Sequence, residues 1–155
     1  MESNKIGNLR QVASMNRYTF TEGKEAGLRV IDCDNGKIRF LLNESKALDV
    51  MQMFHNGTNV SFISKNGFTS REIPFTRRFE GGMVYTCGLD NLGRHEGYEL
   101  HGSFHNTPAK IICAKCDKEG IFVKAKMDVT ELFGENLSLT RTIESKANSK
   151  VLEIT

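Results

Sequence analysis

Residues 81–109 read GGMVYTCGLDNLGRHEGYELHGSFHNTPA and gather Asp90, Asn91, Arg94, His95, Glu96, His101, His105 and Asn106 within one Gly-rich stretch. Carboxylates, amides, imidazoles and a permanently charged guanidinium supply directed hydrogen-bond donors and acceptors, and Arg78 adds a second guanidinium just upstream. That mixture suits a small uncharged ligand with many hydroxyl groups, which Asp90, Asn91, Arg94, His101 and Asn106 could fix in orientation. Phe104 or Tyr98 could lie against the apolar face of such a ring. Taken singly, Asp90-Asn91 and Asn106-Thr107 also read as ordinary turn formers. It is their density that points to a site.

Sharper chemistries fit less well. His101 and His105 are four positions apart, so a helix would put them on one face as zinc ligands, but flanking glycines and Pro108 disfavour a helix and no Glu completes the metalloprotease pattern. No metal and no cofactor are expected. Cys113 and Cys116 form one CxxC without the second pair that a structural zinc site needs, and on a strand the two thiols point to opposite faces. A nucleophilic Cys87 would need an imidazole within reach. Gly81-Gly82 precedes a strand rather than a helix, so no helix N-terminus is offered to a phosphate.

The elements that must position these residues are short strands. Asn-Gly recurs at Asn35-Gly36, Asn56-Gly57 and Asn66-Gly67, a dipeptide suited to the positive φ of tight hairpin turns. Residues 28–33 and 37–42 bracket the first, with Ile38, Phe40 and Leu42 on one face. Alternation is strongest in Ile121, Val123, Ala125, Met127 and Val129, with Lys124, Lys126 and Asp128 opposite; residues 109–116 precede it across an Asp117-Lys118-Glu119-Gly120 turn, predicting a second hairpin. Leu137, Leu139 and Ile143 repeat the pattern with Thr140 and Thr142 outward, and residues 150–155 begin a further apolar segment. Residues 44–54 have helix-forming composition but fit the strand succession better, ending at the His55-Asn56-Gly57 turn. Together these predict one all-β domain over residues 1–155, a sandwich of antiparallel sheets.

Charge and composition exclude other classes. The chain has 155 residues, with 21 Lys and Arg against 19 Asp and Glu, interspersed and leaving a net charge of +2. No basic face for nucleic acid follows from that pattern. Its apolar runs are shorter than the ~18 to 20 residues that span a bilayer, and the opening MESNKIGNLRQ lacks a secretory apolar region, so a cytoplasmic location with free thiols and no membrane contact is expected.

TCGLDNLG (86–93), LHG (100–102) and NTPA (106–109), together with LRVID (28–32), KALD (46–49) and NGTNVSFISKNG (56–67), resemble a family of aldose 1-epimerase-like, galactose mutarotase-like proteins in order and spacing. The similarity runs from about Ile6 onward. It implies a β-supersandwich with a cleft for a small-molecule carbohydrate, a free aldose or a sugar derivative. His101, as the LHG histidine, and Asn91 would contact the sugar, while Arg78 or Arg94 would orient its hydroxyls. Ring opening takes a proton from the anomeric hydroxyl and gives one to the ring oxygen, and the general acid and base of such epimerases would fall beyond Thr155. This chain therefore resembles the N-terminal half of the longer family members. Lys46 and Ala47 stand where the family carries Arg and Gly, and Ser103 replaces an Arg after the HG pair. Half of a large sandwich exposes edges and part of an inner face, so a homodimer or a complementary C-terminal fragment is the expected partner.

Overall fold

The structure, a computed structural model, describes residues 5–155, so the first four residues of the polar opening stretch lie outside it. Eleven strands follow in chain order among those residues: β1 Ser14–Thr19, β2 Arg29–Asp34, β3 Ile38–Asn43, β4 Asp49–His55, β5 Thr58–Asn59, β6 Phe62–Ile63, β7 Gly81–Gly82, β8 Lys110–Asp117, β9 Gly120–Thr130, β10 Asn136–Lys146 and β11 Glu153–Ile154. They form one five-stranded sheet ordered β1-β2-β3-β4-β5, one four-stranded sheet ordered β11-β10-β9-β8, and a small β6-β7 pair. Every pairing is antiparallel. The fold is all-β, an antiparallel sandwich.

Its core lies between the two large sheets. Ile31, Cys33, Phe40, Leu42 and Val50 from the first meet Val123, Ala125, Met127 and Ile143 from the second, all essentially without exposure. Period-2 alternation produces this directly, since alternate side chains of β9 share the buried face. The first sheet also buries part of its outer face, where Val30, Leu41 and Met51 pack with Phe20, Phe54 and Phe68. Burial on both faces makes β3 an almost continuous apolar run.

Asn35-Gly36 joins β2 to β3 and Asn56-Gly57 joins β4 to β5, both as hairpins. Asn35 also ties the two sheets together, because its Nδ2 reaches Ser145 Oγ at 2.7 Å and the carbonyls of Lys146 and Ser149 at 2.9 Å. Asn66-Gly67 differs from expectation. Although Gly67 bonds back to Ser64, β6 pairs with β7, some eighteen residues downstream, so the turn closes no hairpin. Gly81-Gly82 is itself β7 and does not merely precede a strand. Residues 44–48 form turns that lead into β4, and the last strand contributes only two paired residues. A single α-helical turn, α1 at Phe75–Arg78, follows Pro74, and three 3-10 turns lie at Leu9–Gln11, Gly23–Glu25 and Phe104–Asn106 among the described residues. Among the described residues no helix is long and apolar enough to cross a membrane.

Candidate functional site

A buried polar hub sits where the turn before β4 meets β10 and the 84–107 segment. Asp49, the first residue of β4, is 2 % exposed and accepts from the Thr86 amide at 2.8 Å, the Thr86 hydroxyl, His105 Nδ1 at 2.9 Å and Arg141 Nη1 at 2.8 Å. The Arg141 fork also bonds the Ala47 carbonyl at 2.6 Å and Thr86 Oγ at 2.8 Å. Beside it, Lys46 Nζ lies 2.5 Å from Glu80 Oε2, both side chains being almost fully buried. Asn43 Nδ2 donates to the other Glu80 oxygen at 3.3 Å, and His105 Nε2 stands 4.0 Å from that same oxygen without a hydrogen-bond partner. Tyr85 stacks on the His105 ring, centroids 3.9 Å apart, and burial raises its phenol well above the ordinary value. Such a hub rigidifies the junction but offers no face to a ligand, since His105 is 1 % exposed.

Local backbone explains why KALD builds this hub. Ala47 and Leu48 both adopt left-handed φ, 48° and 55°, which reverses the chain sharply ahead of Asp49. Glycine adopts that conformation without steric cost, so Ala47 carries strain there that a glycine would not.

An open cleft lies over α1. Ile73 and Pro74 form its apolar side, while Glu72, Arg78, Glu99, Ser103 and Asn106 supply the polar groups around a volume of about 620 Å³. Arg78 is 2 % exposed at the floor; its Nη2 forms an ion pair with Glu99 Oε1 at 2.7 Å, and neither Nη2 nor Nε has a hydrogen-bond partner. Glu99 is held through its backbone, the carbonyl accepting from Asn91 Nδ2 at 3.2 Å and the Gly102 amide at 2.9 Å.

The candidate residues divide accordingly. Arg78 and Asn106 line the cleft. Asp90 and Asn91 serve chiefly to hold the loop: Asp90 accepts from the Ser103 amide and hydroxyl, and Asn91 bonds the carbonyls of Gly93 and Glu99. Gly102 is required there, with φ 80° and space for a Cβ only 2.4 Å from Asp90 Oδ1. His101 is half-buried beside Phe75, and its Nδ1 accepts from the Gly93 amide at 3.3 Å, which makes Nε2 the protonated nitrogen of the neutral ring. Arg94 is exposed in the same loop, away from the cleft lining. His105 belongs to the buried hub, and Phe104, 1 % exposed in the core, cannot face a ligand. Tyr98 is half-exposed.

Asp49, Glu80, Lys46 and Arg141 escape a search for loop residues. Arg141 carried a usable signal, because it occupies the inward position between Leu139 and Ile143 on an alternating strand. For the cysteines, burial and then the Asp49 charge raise the Cys87 thiol, the opposite of an activated nucleophile, and Cys113 is exposed while Cys116 packs at the core. Among the described residues no cluster of three His, Cys, Asp or Glu side chains could hold a metal ion.

Comparison with known proteins places the fold. A candidate aldose 1-epimerase from Klebsiella pneumoniae subsp. pneumoniae superposes with a TM-score of 0.75 at 15 % identity, over 92 % of this chain and 42 % of that one. A candidate mutarotase from Salmonella typhimurium does so with a TM-score of 0.64 at 17 % identity, over 91 % of this chain and 45 % of that one. The chain therefore spans less than half the length of the solved structures it matches, and shares with them an aldose 1-epimerase-like sandwich. No curated protein matches it in sequence. The pattern of the family described as a domain of unknown function, DUF4432, matches residues 25–155, and the chain belongs to that family.

Proposed function

We propose that this chain forms one wall of a carbohydrate-binding cleft and there binds a free aldose or a sugar derivative. The observation that carries the reading is the cleft over Arg78, where a buried guanidinium, a carboxylate, a hydroxyl and an amide surround a small apolar side in an aldose 1-epimerase-like sandwich. Directed donors and acceptors beside a short apolar face are what a polyhydroxylated ring needs.

Mutarotation additionally needs a placed acid and a placed base. His105 with Asp49 has the outline of such a pair, yet both are about 2 % exposed or less and lie under Tyr85, so neither reaches a sugar. We therefore propose that the chain binds without turning over on its own, isomerase activity requiring the acid and base of a partner or a C-terminal half. Saturation-transfer NMR against a panel of aldoses is expected to show binding, with anomer exchange no faster than in buffer. Asn106→Ala should weaken the best ligand about tenfold, the loss of one hydrogen bond to a ligand hydroxyl. An absence of saturation transfer from every aldose would overturn the reading.

Association is part of the same proposal. Leu132 and Phe133, at the turn between β9 and β10, are 87 % and 98 % exposed, and Phe62 on β6 is 63 % exposed. Apolar groups so placed favour a homodimer or a complementary C-terminal fragment as the cover. Light scattering on the eluting peak is expected to give a mass above the 17.4 kDa of one chain at micromolar concentration, and a monomeric mass throughout would refute the homodimer.

A further inference from the structure

We infer that Glu99, positioned by Arg78, is the group that selects the ligand, and that the cleft takes an uncharged sugar in preference to a sugar phosphate or a sugar acid. This rests on the sugar reading of the cleft. Arg78 would ordinarily mark an anion site, since its planar fork matches phosphate and carboxylate. Here the guanidinium charge is already paired, although neither Nη2 nor Nε makes a hydrogen bond. Its Nη2 is 2.7 Å from Glu99 Oε1, and the guanidinium is 2 % exposed while the Glu99 side chain is 34 % exposed. Glu99 is therefore the member of the pair that reaches the ligand, and it accepts hydrogen bonds from hydroxyls.

The surroundings strengthen that sign. Glu72 lines the same cleft. A second cleft of about 600 Å³ shares Glu99 and Ser103 with the first, and its lining includes Asp90, Glu131 and Glu135 but no Lys, Arg or His. Five carboxylates thus border these two clefts against Arg78, while a third cleft that shares Glu72 and Asn106 with the first adds Arg71 and the Glu80-paired Lys46. An entering phosphate would meet like charge at short range, whereas hydroxyl donors would meet acceptors. The Nε and Nη2 of Arg78 are both buried without a hydrogen-bond acceptor, so the exposed Glu99 carboxylate and not the guanidinium meets the ligand.

The test is a titration of the full chain with glucose, galactose, glucose 6-phosphate and glucuronate, read by saturation-transfer NMR at low and at physiological salt. We expect a neutral hexose to bind at least about tenfold tighter than the phosphate or the acid, with the gap narrowing as salt screens the carboxylates. Glu99→Gln should lower the melting temperature, because the buried Arg78 loses its counter-charge, and should weaken the hexose about tenfold while improving the phosphate, an opposite pair of changes that a mere loss of stability would not produce. Equal or tighter binding of the phosphate or acid would overturn this inference and leave the sugar reading standing. An unchanged hexose affinity in Glu99→Gln would do the same, whereas no binding by any of the four would overturn both.

Discussion

Asp49→Ala is expected to destabilise the fold by about 3–5 kcal/mol, because it strands buried partners of a charge. Arg141 would keep the Ala47 carbonyl and the Thr86 hydroxyl but lose its counter-charge, and His105 Nδ1 and the Thr86 amide would lose their acceptor. Total stabilities of single domains are only about 5–15 kcal/mol, so this one side chain decides a large share. The check is a urea unfolding curve whose midpoint falls while its slope stays constant. Arg141→Met alone should be similarly harmful, yet the double variant Asp49→Ala, Arg141→Met should be much less destabilised than the sum, since it removes both charges together. Additivity of the two losses would show that the hub does not act as a unit. A loss below about 1 kcal/mol for Asp49→Ala would place it among ordinary surface substitutions.

Which parts of this architecture were legible in the sequence follows from how each signal arises. β9 and β10 announce themselves because a half-buried strand imposes a period of two over eleven residues each. The hairpins at Asn35-Gly36 and Asn56-Gly57 are local events, so a dipeptide suffices to find them. Asn66-Gly67 has the same local chemistry, but the partner of β6 is chosen by the distant Gly81–Gly82, and no local pattern encodes a long-range pairing. α1 occupies a single turn, too short for periodicity to show.

The site divides along the same line. Loop density marks out residues 81–109, yet most of the polar groups there are consumed in holding the loop: Asp90 against Ser103, Asn91 against Glu99, His101 against Gly93. Density alone cannot separate side chains that shape a loop from those that face a ligand. The buried hub comes from strand positions and from KALD, where acids and bases far apart in sequence converge only after the sheets pack. Arg78 and Glu99, twenty-one positions apart, meet for the same reason.

Lys46→Met is the second large effect, again about 3–5 kcal/mol, and it tests whether the other half of the hub is held by charge or by shape. Glu80 is 1 % exposed and would retain only the 3.3 Å bond from Asn43, with His105 Nε2 too far to donate at 4.0 Å. A carboxylate so isolated from water is far costlier than the pair it came from. Methionine preserves the volume of the lysine stem, so the loss is electrostatic and does not come from a cavity. Adding Glu80→Gln removes the stranded charge while keeping an acceptor for Asn43, and the double variant should recover most of the midpoint lost in urea. Lack of recovery would mean that Lys46 contributes mainly by packing against the left-handed Ala47-Leu48 turn, and the hub would then be a steric hinge between sheets and not a charge pair.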